Sequence, residues 1–192
     1  MTRLLFCDMA ASAMLAACVV YRARQYEHPV AGAVLLACFV GLASPSLRDV
    51  LLGQGLPLTG GMLCAVALGA AGGALCARFL GYRFPFFFLS DSLSASLTAG
   101  TACAKALLCG LEPLAAALLG LLVGLCGGLV RDVALGDTAH CLDSADFGLA
   151  LAFGLAVQVL VSYAFWIFPL WSMVAAGCLC CMGVRLFVRY RA

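Results

Sequence analysis

The stretch G124-L-C-G-G-L-V-R-D-V-A-L-G136 places two adjacent glycines and then an Arg-Asp pair at the end of a long apolar run. A second stretch, G41-L-A-S-P-S-L-R-D-V-L-L-G53, aligns with it without a gap. Gly, Leu, Arg, Asp, Val, Leu and Gly recur at the same places. The two copies lie 83 residues apart. Each closes an apolar segment that starts just after an acidic residue and a proline, Glu27-His28-Pro29 in one copy and Glu112-Pro113 in the other. Two apolar segments can resemble each other by chance. A shared Arg-Asp pair at the same point of equivalent segments argues for duplication.

Composition sets the solvent in which this duplication folds. Of 192 residues, 65% are hydrophobic and 10% charged, and the mean hydropathy is +1.11. Soluble domains carry about a quarter charged residues, so this chain cannot cover its surface in water and reads as an integral membrane protein. A net charge of +2, without a Lys/Arg-rich run, excludes a nucleic-acid partner.

Apolar runs long enough to span a bilayer lie near 4–21, 30–47, 58–77, 89–108, 114–134, 147–164 and 167–188. The fold class is therefore an all-α membrane protein with seven transmembrane helices. Three spans separate the copies, and an odd number forces the second unit to enter the membrane upside down. This is an inverted-topology repeat. Residues 1–84 form the first three-helix unit, 85–166 the second, and 167–192 hold a seventh helix and the C-terminus. Leu15-Ala16-Ala17-Cys18 fits a lipoprotein cleavage site, but Asp8 interrupts the preceding stretch, so the segment reads as a retained span.

Orientation follows from retention of positive charge on the cytoplasmic side. An outside N-terminus puts Arg22, Arg24, Arg78, Arg83, Arg185, Arg189 and Arg191 inside, with Arg131 close by. It leaves Arg3, Arg48 and Lys105 toward the outside. The C-terminus is then cytoplasmic, and the membrane is the bacterial inner membrane.

Three features bear on function. Gly127-Gly128 in one copy, and Ser44-Pro45 in the other, predict helix breaks three residues before the arginine. Carbonyls freed at such breaks coordinate desolvated monovalent cations; close packing is the competing role for the glycines. The charges Arg48, Asp49, Arg131 and Asp132 need partners, because neighbours on a helix point about 100° apart. The symmetric solution is crossed, Arg48 with Asp132 and Arg131 with Asp49; snorkelling to headgroups is the alternative. Finally, Asp91, Thr98 and Lys105 recur every seven residues on the fourth span, with Ser94 and Thr101 near the same line. The stripe reads as a water-filled lining, or as interface anchors with hydroxyls bonded to their own backbone.

Small residues at spacings of four, Gly120/Gly124/Gly128, Gly69/Gly73/Ala77 and Ser92/Ser96/Gly100/Ala104, mark close helix contacts. The 12 cysteines lack a paired C-x-x-C array and read as apolar filler, including the Cys178/Cys180/Cys181 cluster. Asp137, His140, Asp143 and Asp146 read as a solvated acidic loop rather than a metal site. No catalytic constellation, phosphate loop or dinucleotide fingerprint is present, so the sequence indicates no enzyme, catalytic residue, metal or cofactor.

The G-G-x-x-R-D motif, complete at Gly127–Asp132 and matched at Arg48-Asp49 in the first copy, in two three-helix units plus a seventh helix, resembles the prokaryotic relatives of the trimeric intracellular cation channels. L-x-D-x-L at the start of the fourth span, with Gly100 and Ala104-Lys105-Ala106-Leu107 later in it, is similar to that family too. The resemblance covers nearly the whole chain. It implies a homotrimer in membrane lipid with one pore per subunit, conducting monovalent cations, chiefly potassium. The second, fourth and fifth spans would surround the pore, along Asp91, Thr98, Lys105, Gly127, Gly128, Ser44 and Pro45. A bound lipid is compatible with it. Some bacterial proteins with this domain are described as glycine transporters, which makes a secondary transporter of a small amino acid the alternative. The first copy departs from the family's glycine run, with Ala43-Ser44-Pro45 in its place.

Overall fold

In a computed structural model, the protein is described at residues 2–56, 58–79, 84–136, 145–164 and 170–191. These form seven helices and no strand: α1 (Thr2–Gln25), α2 (Val30–Leu51), α3 (Gly60–Phe79), α4 (Phe84–Leu108), α5 (Pro113–Leu135), α6 (Ala145–Ala164) and α7 (Leu170–Arg191). Each corresponds to one of the seven apolar runs. Four described stretches, Leu4–Gln25, Val30–Leu51, Gly60–Phe79 and Pro113–Leu135, are each long and apolar enough to cross a membrane. Large apolar side chains such as Leu35, Phe39, Leu68, Leu114 and Leu179 stay exposed on the outside of the bundle. Lipid, not water, satisfies such a surface.

The duplication reaches the helix ends. After α1, Glu27 N–H donates to Arg24 O, and His28 N–H to Ala23 O. After α4, 83 residues on, Gly110 N–H donates to Leu107 O, and Leu111 N–H to Ala106 O. This is one helix-ending motif made twice. It requires a left-handed residue, which is Gly110 (φ 83°) in the second copy and Glu27 (φ 60°) in the first. Gly53 (φ 66°) and Gly136 (φ 68°), after α2 and α5, form another such pair.

The units also interlock about their equivalent positions. A Cβ on Gly127 would lie 2.5 Å from Ser44 Oγ, and Ser44 is the residue 83 positions earlier. A residue touches its own repeat equivalent only near the axis that relates the two copies, so α2 and α5 cross there. α1 and α4 pack antiparallel, since Asp8 near the start of α1 meets Lys105 near the end of α4. This is the inverted arrangement that an odd number of spans requires.

Both helices run through their expected breaks. α2 is continuous through Pro45, and α5 through Gly127-Gly128. The glycines do packing work instead. A Cβ on Gly120 would lie 2.7 Å from Ala99 O, and one on Gly124 would lie 2.8 Å from Ala99 Cβ. The absent side chains let α5 lie directly on α4. In the first unit, Gly69 and Gly73 of α3 lie directly on the backbone of Ala13 and Ala17 in α1.

Candidate functional site

Two clusters of buried charge occupy opposite ends of the bundle. In the first, Arg48 Nη1 donates to Asp8 Oδ1 at 2.5 Å, and its Nε donates to Asp49 Oδ1 at 2.6 Å. Lys105 reaches in from α4, with Nζ 2.9 Å from Asp8 Oδ2 and 3.4 Å from Asp49 Oδ1. In the second, Arg131 Nη1 donates to Asp91 Oδ1, and Nε donates to Asp132 Oδ1 at 2.8 Å. Arg185 reaches in from α7, with Nη1 3.3 Å from Asp91 Oδ2. Asp8, Arg48 and Asp49 are the repeat equivalents of Asp91, Arg131 and Asp132. The described members of each cluster are two carboxylates and two cationic groups.

The geometry replaces the crossed pairing of Arg48 with Asp132 and Arg131 with Asp49. The argument from a 100° offset treats side chains as short. An arginine stem is long enough to fold back, and its guanidinium has two usable edges. One edge takes the neighbouring aspartate and the other takes an aspartate one helix away. These charges do not reach out of the protein as snorkelling would require: Arg48, Asp49, Arg131 and Asp132 are all buried. Buried charges persist only when paired and hydrogen-bonded, and each arginine here is bound by two carboxylates.

Asp8 belongs to the constellation and is absent from the motif alignment. The signal for it was available: Asp8 lies 83 residues before Asp91. Arg185 lies outside both repeats, and no spacing marks it.

Between the clusters runs the α4 stripe. Asp91 and Lys105 are 14 residues apart, about 21 Å along a helix. Ser94 Oγ donates to Asp91 O at 2.9 Å, Thr98 Oγ1 to Ser94 O at 2.7 Å, and Thr101 Oγ1 to Thr98 O at 3.1 Å. Asp91, Ser94, Thr98 and Thr101 are buried. The hydroxyls thus bond their own helix, and the stripe links the two clusters through packed protein. Ser44, Pro45, Gly127 and Gly128 are buried where α2 crosses α5. Among the described residues, Ser44 Oγ has no hydrogen-bond partner. A buried amide lies further along: Gln158 Nε2 of α6 donates to Gly100 O at 2.9 Å.

The described cysteines are free, with Cys178 and Cys181 buried in α7. The acidic group Asp137, His140, Asp143 and Asp146 lies outside the residues whose side chains are described.

A bundle of two inverted three-helix units and a seventh helix is shared over nearly the whole chain with solved channels. The TRIC trimeric intracellular cation channel orthologue from Rhodobacter sphaeroides superposes with a TM-score of 0.86 at 23% identity, over 97% of this chain and 96% of that one. The chain has the TRIC fold. A prokaryotic TRIC channel crystallised in 0.5 M KCl gives a TM-score of 0.82 at 17% identity, covering 97% of both chains. A further TRIC cation channel structure gives 0.78 at 15% identity, over 97% of this chain and 92% of that one. A family model described as Glycine transporter matches residues 88–164. That match covers most of α4, all of α5 and all of α6, close to one repeat of the TRIC fold. Comparison with curated protein sequences finds no match.

Proposed function

We propose that this protein is a potassium-permeable cation channel, assembled as a homotrimer with a pore in each subunit. The observation that carries the reading is the TRIC fold over 97% of the chain, shared with three solved cation-channel structures. The duplicated charge clusters fit it. They place acidic and basic groups at both ends of a polar helix face, where a permeating cation exchanges its water for protein oxygens. Asp91, Thr98 and Lys105 mark that face, and Ser44, Pro45, Gly127 and Gly128 form the helix crossing beside it. The buried stripe, with its hydroxyls bonded to α4, corresponds to a closed conformation. Residues 1–84 and 85–166 act as the two halves of the pore. The N-terminus faces outside and the C-terminus the cytoplasm of a bacterial inner membrane. The ligands are the permeant monovalent cation and membrane lipid.

The match to the Glycine transporter family model favours a second reading, a secondary transporter of a small amino acid. Alternating access would then use the same two clusters as opposite gates. Purified protein in planar bilayers and in proteoliposomes separates the two. The channel reading expects unitary currents that reverse at the potassium equilibrium potential under a potassium gradient. Saturable glycine uptake without unitary currents would sink it in favour of the transporter.

A further inference from the structure

The two clusters are closed by different parts of the chain. Lys105, which closes the first, comes from the opposite repeat. Arg185, which closes the second, comes from α7, outside the duplication. In each cluster the closing cation is the accessible member. The Lys105 and Arg185 side chains are 19% and 11% exposed, against 2% for Arg48 and for Arg131. Arg131 holds Asp91 and Asp132 whether or not Arg185 is present. The Arg185 guanidinium carbon also lies 4.7 Å from the ring centre of Phe88 on α4 and 4.5 Å from that of Phe147 on α6. A guanidinium at those distances is attracted to ring faces as well as to the carboxylate. One side chain of α7 thus fastens α4 and α6 at the end of the bundle where the second cluster sits.

We infer that Arg185 is the latch of the second cluster, a positioning residue on α7 that controls whether a cation can reach Asp91 and Asp132. The electrostatics follow from the described partners. With Arg185 seated, a guanidinium lies on Asp91 and repels an incoming cation. With Arg185 withdrawn, the described carboxylates outnumber the cationic groups by one, and the cluster attracts a cation instead. Withdrawal leaves no carboxylate stranded, because Arg131 still binds both. It also loosens the end of α7, where Cys181, one turn before Arg185, is buried against α6 at Gly154.

The latch rests on the channel reading for its consequence but not for its existence, and the test separates the two. Wild type, Arg185→Gln and Arg185→Lys are reconstituted as full chains. Single-channel open probability is recorded for each. Labelling of Cys181 by a membrane-impermeant methanethiosulfonate is located by peptide mass spectrometry. Arg185→Gln is expected to raise open probability about ten-fold, the scale of one partly desolvated charge contact, and to make Cys181 reactive. Arg185→Lys keeps the charge and is expected to stay within about three-fold of wild type, as a cation without the planar fork. Equal open probability in wild type and Arg185→Gln overturns the latch, as does a Lys variant that behaves like Gln. If no variant conducts, the channel reading fails and labelling alone decides: Cys181 reactive only in Arg185→Gln sustains the latch, and Cys181 protected in both overturns it. Should the Gln variant not assemble, Arg185→Met, whose stem still packs against Phe88 and Phe147, takes its place with the same expectations.

Discussion

α3 and α6 are equivalent in the chain and different in the molecule. α3 lies flat on α1, its Gly69 and Gly73 on the backbone of Ala13 and Ala17. The residues 83 positions later are Ala152 and Ala156 on α6. Both are exposed on the outside of α6. They line an apolar cavity of about 470 Å³ shared with α5, together with Leu118 and Leu121. α6 makes its close crossing elsewhere, through Gly154, whose missing Cβ would lie 2.7 Å from Gly177 O on α7. On α4, the position equivalent to Ala17 is Gly100, which is covered by Gln158 and by Val174 of α7. With two methyl groups on α6 and a relocated glycine, the third helix keeps Gln158 on Gly100 of α4 but makes its closest backbone crossing on the seventh. Helix approach in lipid has no hydrophobic drive and depends on how near the backbones can come, so single methyl groups decide which face packs.

The largest expected effect breaks this contrast directly. Gly73→Leu puts a branched side chain into the Ala17 backbone, and the loss should be about 3 kcal/mol or more. Ala156→Leu, at the equivalent place, extends into an open apolar cavity and should cost under about 1 kcal/mol. Thermal unfolding in detergent, read by size-exclusion fluorescence, compares the two. Equal losses would mean that α3 and α6 are packed alike and the asymmetry is wrong.

The charge clusters are where the units agree, and a double-mutant cycle sharpens that agreement. Asp8→Asn and Asp91→Asn should each cost about 3 kcal/mol, since each takes a carboxylate from a buried arginine. Asp8→Asn with Arg48→Met should show a coupling of roughly 1–3 kcal/mol, the range for directly contacting pairs. Asp132→Asn with Arg48→Met should be additive within about 0.5 kcal/mol. Coupling in the second cycle and none in the first would restore the crossed pairing.

The smallest effect concerns the left-handed turn after α1. Glu27 adopts there the φ that Gly110 supplies after α4. Glu27→Gly should stabilise the protein by about 1 kcal/mol, because a side chain is strained in that conformation and glycine is not. The reverse change, Gly110→Glu, should cost a similar amount. A loss in Gly110→Glu without a gain in Glu27→Gly, measured as shifts in unfolding midpoint, would show that the two turns are not equivalent.

Much of this architecture is legible in the residues themselves. Composition dictates lipid as the solvent, because so few charged groups cannot coat a water-facing surface. Seven apolar runs dictate seven helices. The recurrence of Arg48-Asp49 as Arg131-Asp132, after three spans, dictates an inverted repeat. Even Asp8 was within reach through its 83-residue offset from Asp91. What tertiary structure alone decided is which groups meet. Local helix geometry fixes where a side chain leaves the backbone but not where a long guanidinium ends, so Arg48 finds Asp8 and Arg131 finds Asp91. The glycine pair at 127–128 has the same composition whether it breaks a helix or admits another; the approach of Ser44 from α2 selects the second. Arg185 belongs to neither repeat, and only the seating of α7 against α4 and α6 brings it to Asp91.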